Sequence, residues 1–256
     1  MISKALIKKI SLLKSLKHRK EEGRFLVEGV KMVDELIESK RRILAVFALE
    51  DYIQDREKEL KDIADEVYIV NSDELQKLSN LSTPNKVIAL MENIPNKPIE
   101  NENRLVIALD GIKDPGNLGT IIRLADWFGI KDIICSEDSV ELYNPKTVQS
   151  TMGSLFRVNV TCQNLEEYLK VLDKKYKVFG TVVQGGKNIY TQDLPNQGII
   201  VIGSESHGIS KEILPLITNP ITIPCFSLDQ KIESLNASIA TSIICAEFAR
   251  QNQVKR

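Results

Sequence analysis

Short apolar runs ending in small or polar residues, each followed by a stretch with helical spacing, recur along the second half of this chain. The runs are 105–109, 132–135, 157–160, 178–183, 199–202 and 221–223. Near-continuous apolar strands alternating with helices are the pattern of a parallel sheet covered on both faces, because each crossover lays a helix over the sheet. Helices are predicted over 120–128, 145–151 and 165–175, over 211–217 with Ser210 as N-cap, and from Ser234 or Asn236 to about Arg250. The expected architecture is therefore α/β and doubly wound.

The first 93 residues alternate as well, in a smaller unit. A basic amphipathic helix is expected over 1–20, with Leu6, Ile10, Leu13 and Leu16 or Lys17 at helical spacing. Strands are predicted at 24–29, 43–49, 66–70 and 86–91, with helices at 30–39, 51–64 and 73–79, the last capped by Asn71 or Ser72. Pro95 and Pro98 lie in a polar stretch that reads as a linker. The organisation expected is a small α/β domain at 1–93, a linker at 94–103 and a larger α/β domain at 104–256.

Composition narrows the function classes. An apolar fraction of 43% and a charged fraction of 27% are those of an ordinary globular protein. No apolar run approaches membrane-spanning length, and the opening Met1-Ile-Ser-Lys-Ala-Leu-Ile-Lys-Lys lacks the apolar core of a secretory leader. Cys135, Cys162, Cys225 and Cys245 are scattered, without a Cys-x-x-Cys pair. That argues against a zinc site or a disulfide framework and suits a reducing cytoplasm, so no metal is expected. Net charge is only −1, yet residues 1–20 carry basic side chains and no acidic one. Clustered cations attract phosphate even on a neutral protein. Lys8, Lys9, Lys17, Arg19 and Lys20 are candidate RNA contacts, with a solvated helix face as the alternative.

Three segments far apart place Gly, Asn and Ser residues beside one chemically active side chain at a strand end. They are Asp110-Gly-Ile-Lys-Asp-Pro-Gly-Asn-Leu-Gly-Thr-Ile-Ile-Arg123, Ile202-Gly-Ser-Glu-Ser-His-Gly208, and Ile223-Pro-Cys followed by Glu233-Ser-Leu-Asn-Ala-Ser238. Strand ends are where open α/β sheets bind ligands. The first segment is neither Gly-x-x-x-x-Gly-Lys-Ser/Thr nor Gly-x-Gly-x-x-Gly, so neither a P-loop enzyme nor a conventional dehydrogenase is indicated. Alone, Asn117 reads as an N-cap and Arg123 equally as a surface cation, while His207, which titrates in the range of a general base but has no visible partner, reads as a loop histidine. The helix after Ser234 is apolar nearly all round, which suits either core burial or a subunit interface.

Together, Asn117-x₅-Arg123, the Gly203-Ser-Glu205 turn and Ser234-Leu-Asn236 resemble the three ordered motifs of the SpoU-type (SPOUT superfamily) RNA ribose 2′-O-methyltransferases. Phe25-Leu-Val-Glu-Gly29 and Thr83-Pro-Asn-Lys-Val-Ile-Ala-Leu90 are similar to the small ribosomal-protein-like RNA-binding domain that precedes the catalytic domain in many members. The resemblance implies a trefoil-knotted catalytic domain, a homodimer, and methyl transfer from S-adenosylmethionine to a ribose 2′-hydroxyl. It implies active-site roles for Asn117, Arg123, Glu205, Ser234 and Asn236, and cofactor contacts at Gly203, Ile223 and Leu235. The stretch between Pro224 and Ser234 is longer than is usual in the family, and Ser206 stands where a smaller residue is common. Ribosomal RNA is the expected substrate and transfer RNA its rival. A non-catalytic RNA-binding assembly factor that keeps the fold is the alternative.

Overall fold

A computed structural model describes residues 2–99, 104–172, 175–227 and 234–253. They form two compact units, Met1–Pro95 with Tyr143–Phe156, and Asn96–Leu142 with Arg157–Arg256. Residues 100–103 of the expected linker and 228–233 of the third motif segment lie outside the described residues.

In the first unit, β1 (Arg24–Glu28), β2 (Ile43–Ala48), β3 (Ala64–Ile69) and β4 (Val87–Glu92) form a sheet in the order β1-β4-β2-β3. Only β2 and β3 run parallel. The basic segment is not one helix. It is α1 (Lys4–Ser11), a 3₁₀ turn at Leu12–Lys14, and α2 (Leu16–Glu22) after an extended Ser15. Ile10 and Leu13 are buried as expected, but Leu16 stays exposed. Arg19 accounts for the break: it is buried, and its Nη1 donates to the carbonyls of Leu13 and Lys14, both at 2.9 Å.

Next come α3 (Val30–Glu38), α4 (Glu50–Asp55), α5 (Glu57–Ile63) and α6 (Ser72–Leu78). The helix expected over 51–64 is divided at Arg56, which leaves helical backbone (φ −133°, ψ 21°). Its guanidinium reaches Asp34 at 2.7 and 2.9 Å and lies over the Tyr52 ring. Asn71 is the cap of α6, in a reciprocal capping box with Glu74. Tyr143 stacks on Phe25 with centroids 4.4 Å apart, and its hydroxyl accepts from the Ile94 backbone N–H. That is how Tyr143–Phe156 packs with this unit. Glu28 is buried at the end of β1, where its carboxylate accepts from Ser79 Oγ (2.5 Å), the Asn80 backbone N–H (2.9 Å) and Asn80 Nδ2 (2.7 Å).

The second unit is a wholly parallel seven-stranded sheet. Its strands are β5 (Leu105–Asp110), β6 (Asp132–Cys135), β7 (Asn159–Cys162), β8 (Val178–Thr181), β9 (Lys187–Asn188), β10 (Gly198–Gly203) and β11 (Asn219–Thr222), in the order β7-β6-β5-β10-β8-β11-β9. The accompanying helices are α7 (Pro115–Trp127), α9 (Leu165–Lys170) and α10 (Ala237–Gln253), while α8 (Pro145–Thr151) belongs to the first unit. Alternate residues of β5 point to opposite faces. Ile107 and Leu109 pack with Leu118, Ile121, Ile244 and Phe248 of α7 and α10. Val106 and Ala108 pack on the other face with Leu165 and Leu169 of α9 and with Ile213.

Two helical expectations in this unit are corrected. α7 begins at Pro115, not Thr120: Asp114 caps it by accepting from the Asn117 N–H, and Pro115 needs no partner at the first helical position. Asn117 is therefore inside the first turn and is not the cap. No α-helix follows Ser210, where a 3₁₀ turn at Leu214–Leu216 stands instead. Pro215 would lack an N–H and clash within a longer helix.

Two stability outcomes follow. Glu28→Ala leaves buried donors without an acceptor and is expected to cost about 2–3 kcal/mol, read as a lower urea midpoint at unchanged slope. In α10, the Arg250 guanidinium, with help from Gln251, holds the Glu247 carboxyl down at about 2 from its ordinary 4.5. The stabilisation is therefore complete above pH 4.5 and lost as pH falls through about 2. Glu247→Gln is expected to flatten that acid limb when stability is followed against pH.

Candidate functional site

The carboxyl ends of β5 and β10 meet side by side, with Gly203 in register with Asp110. The chain leaving β10 closes a tight loop in which the Ser204 and Gly208 backbones exchange hydrogen bonds at 3.0 and 2.9 Å. Gly208 accommodates a left-handed φ of 68° there. Gly203 has no room for a side chain, since a Cβ would overlap the backbone of Gly208 and Ile209. Asp110 holds this loop from below, its Oδ2 accepting from the Ser210 N–H at 2.6 Å.

Three sequence-predicted residues join in one chain of hydrogen bonds. Asn117 Nδ2 donates to Glu205 Oε1, and Asn117 Oδ1 accepts from Asn236 Nδ2 at 3.0 Å. Asn236 also caps α10, its Oδ1 accepting from the Ser238 N–H at 3.0 Å and from Ser238 Oγ at 2.7 Å. The Asn117 amide is thus held at both ends, which fixes its orientation.

Beside this chain lies a cavity of about 390 Å³, within the ordinary range for a single small-molecule ligand. Gly203, Ile223 and Leu235 all line it, as do Glu205 and Ser234. Its inner wall includes Ile202, Ile221, Ala237, Ala240 and Ile244, so the interior is apolar and the rim polar. Such a shape fits S-adenosylmethionine: glycine and apolar residues admit its adenosine, and backbone groups at three strand ends are available to its polar atoms. Thr181 and Val182, at the end of β8, also line the cavity. They escaped the sequence reading because two ordinary strand residues carry no signal until strand order sets β8 beside β10.

Arg123 is not part of this cluster. It is exposed, six residues beyond Asn117 on α7, hence about 240° round the helix and roughly 9 Å along it. His207 is exposed at the loop tip, its Nδ1 2.8 Å from Ser206 Oγ. Among the candidate RNA contacts, Lys8, Lys9, Lys17 and Lys20 are exposed. Arg19 departs from the expectation, because its guanidinium is committed to the Leu13 and Lys14 carbonyls. Burial pushes the Cys245 thiol up to about 12 and the Cys135 thiol well above its ordinary value, so neither is a thiolate nucleophile. No cluster of His, Cys, Asp or Glu suited to a metal occurs among the described residues, and no described helix is long and apolar enough to cross a membrane.

Comparison with known proteins gives this geometry a family. Residues 4–89 match the MRM3-like substrate binding domain. The chain is 27% identical over 237 residues to the 23S rRNA (guanosine(2553)-2′-O)-methyltransferase RlmP of Bacillus subtilis, covering 91% of each protein. A structure from Porphyromonas gingivalis, described as of the TrmH family of RNA methyltransferases, superposes with a TM-score of 0.88 at 34% identity, over 98% of this chain and 99% of that one. An S-adenosylmethionine-bound rRNA methyltransferase from Sinorhizobium meliloti superposes with a TM-score of 0.87 at 27% identity, over 98% and 96%. S-adenosylmethionine is the methyl donor of SpoU methyltransferases. With residues 104–246, more than half its length, matching the SpoU rRNA methylase family, the chain belongs to that family.

Proposed function

We propose that this protein transfers the methyl group of S-adenosylmethionine to a ribose 2′-hydroxyl, with ribosomal RNA as its substrate. The observation that carries this reading is the Glu205–Asn117–Asn236 hydrogen-bonded chain at the rim of an apolar, glycine-walled cavity. In this reading Gly203, Ile223 and Leu235, which line the cavity, hold the cofactor. Bound in that cavity, S-adenosylmethionine supplies a sulfonium methyl that is already strongly electrophilic. What remains for the protein is to align the ribose oxygen and to manage its proton.

Glu205 is an acceptor-only carboxylate at the rim, suited to receive a hydrogen bond from the ribose hydroxyl. Asn117, itself held by Asn236, fixes that carboxylate, and Ser234 adds a hydroxyl on the same rim. Arg123 presents a planar guanidinium with five N–H donors and no acceptor. Its role in this reading is to bind a neighbouring phosphate and to stabilise the developing alkoxide electrostatically.

We further propose a homodimer seated on α7 and α10. Trp127 is 84% exposed and Ile239 52% exposed on these two helices, which pack against each other. Arg123 lies one turn before Trp127 on the same face, so that contact would bring it to the dimer boundary. The first unit serves as the RNA-binding domain, with Lys8, Lys9, Lys17 and Lys20 toward phosphates. A cytoplasmic location accords with four cysteines in the thiol form, two of them exposed.

Incubation with labelled S-adenosylmethionine and unmodified RNA is expected to leave label on a ribose 2′-oxygen. Arg123→Ala is expected to slow that transfer by about 100-fold or more. Label on a base, or label unaffected by the replacement, counts against this mechanism. Gly203→Ala forces the backbone of the Ser204–Gly208 loop to shift, so cofactor affinity by calorimetry is expected to fall at least about tenfold, a loss of roughly 1.4 kcal/mol, alongside a lower unfolding midpoint. Unchanged affinity removes Gly203 from the cofactor site.

A further inference from the structure

The rim of the cofactor cavity carries one feature that methyl transfer as described above does not use. Phe226, just beyond β11, is 83% exposed while lining the same cavity as Glu205 and Leu235. Val183 (62% exposed) and Leu235 (43% exposed) stand on the same rim. The apolar interior is of a size for one small ligand, and the ring of Phe226 presents most of its surface to solvent. A phenyl ring has no hydrogen-bonding group, so displaying it in water is unfavourable unless an apolar or aromatic partner covers it.

The chemistry of the substrate supplies such a partner. The nucleobase is attached to the ribose carbon next to the one bearing the 2′-hydroxyl. A ribose whose 2′-oxygen sits at Glu205 and Asn117 must therefore carry its base to the cavity rim. Proteins that recognise RNA at loops and ends receive splayed bases on aromatic faces. We propose that Phe226 is the stacking platform for the base of the nucleotide being methylated. The inference rests on the reaction assigned above. Stacking tolerates any base, so Phe226 orients the target nucleotide without selecting its identity.

The test compares wild type, Phe226→Ala and Phe226→Tyr, using an unmodified in vitro transcript of 23S ribosomal RNA. Three quantities are read: methyl transfer from labelled S-adenosylmethionine, KM for the transcript, and the cofactor dissociation constant by calorimetry. Phe226→Ala is expected to raise KM for RNA, or lower kcat/KM, by about 5- to 100-fold. Cofactor affinity is expected to stay at the wild-type value, and Phe226→Tyr to recover most of the loss. Parallel weakening of cofactor binding overturns the proposal, because the ring then packs on the adenine of S-adenosylmethionine. Unchanged kinetics in Phe226→Ala overturn it as well. If wild type itself moves no label to RNA while binding the cofactor, the assigned reaction fails first and the stacking role falls with it.

Discussion

The parallel pairing of β10 with β5 is the contact on which the site depends. Six residues pair in continuous register, from Gly198 against Leu105 to Gly203 against Asp110. Nearly a hundred residues separate the two strands, so the pairing must overcome a large loop-closure entropy. The buried side chains of both strands, Ile107 and Leu109 with Ile200 and Ile202 among them, supply the offsetting apolar contact. Once the register is set, the loop after β5 and the loop after β10 have no alternative but to lie side by side. Hydrogen bonds from Ser210 to Asp110 and from Asn117 to Glu205 then fix the second segment against the first.

Chemistry follows from a division of labour around that junction. Glycine and aliphatic residues form the cavity wall, where the close approach of Gly208 and Ile209 leaves no space for a side chain at position 203. Polar groups are confined to the rim, and each constrains its neighbour: α10 is capped by Asn236, Asn236 donates to Asn117, and Asn117 donates to Glu205. A carboxylate held by one amide that is itself held by a second needs little reorganisation to accept a further hydrogen bond. Arg123 stands outside the chain because six residues along a helix turn it away from the Asn117 face.

Much of the architecture was legible from local pattern. Buried strands such as 105–109 and 199–202 stand out as apolar runs, and the Asn71–Glu74 capping box is readable as spacing. Failures came where side chains act at a distance or where turn residues disguise a helix. Gly116 and Gly119 hid the first turn of α7, although Asp114 and Pro115 are a strong start signal. The break between α1 and α2 depends on Arg19 reaching back to two carbonyls, which no periodicity reveals. Pro215, by contrast, was visible and rules out the helix expected after Ser210.

By itself the sequence determined the strand-and-helix alternation and the three strand-end segments, and it was the resemblance of those segments to known motifs that pointed to the family. These are properties of residue type along the chain, set by burial periodicity and by where glycine, proline and capping residues can stand. Only the tertiary structure decided that Asn117, Glu205 and Asn236 touch, that Arg123 does not join them, and that Phe226 is left exposed at the rim. Those facts depend on which strands become neighbours in the sheet, and long-range pairing is selected by the packing of the whole unit, which no local segment encodes.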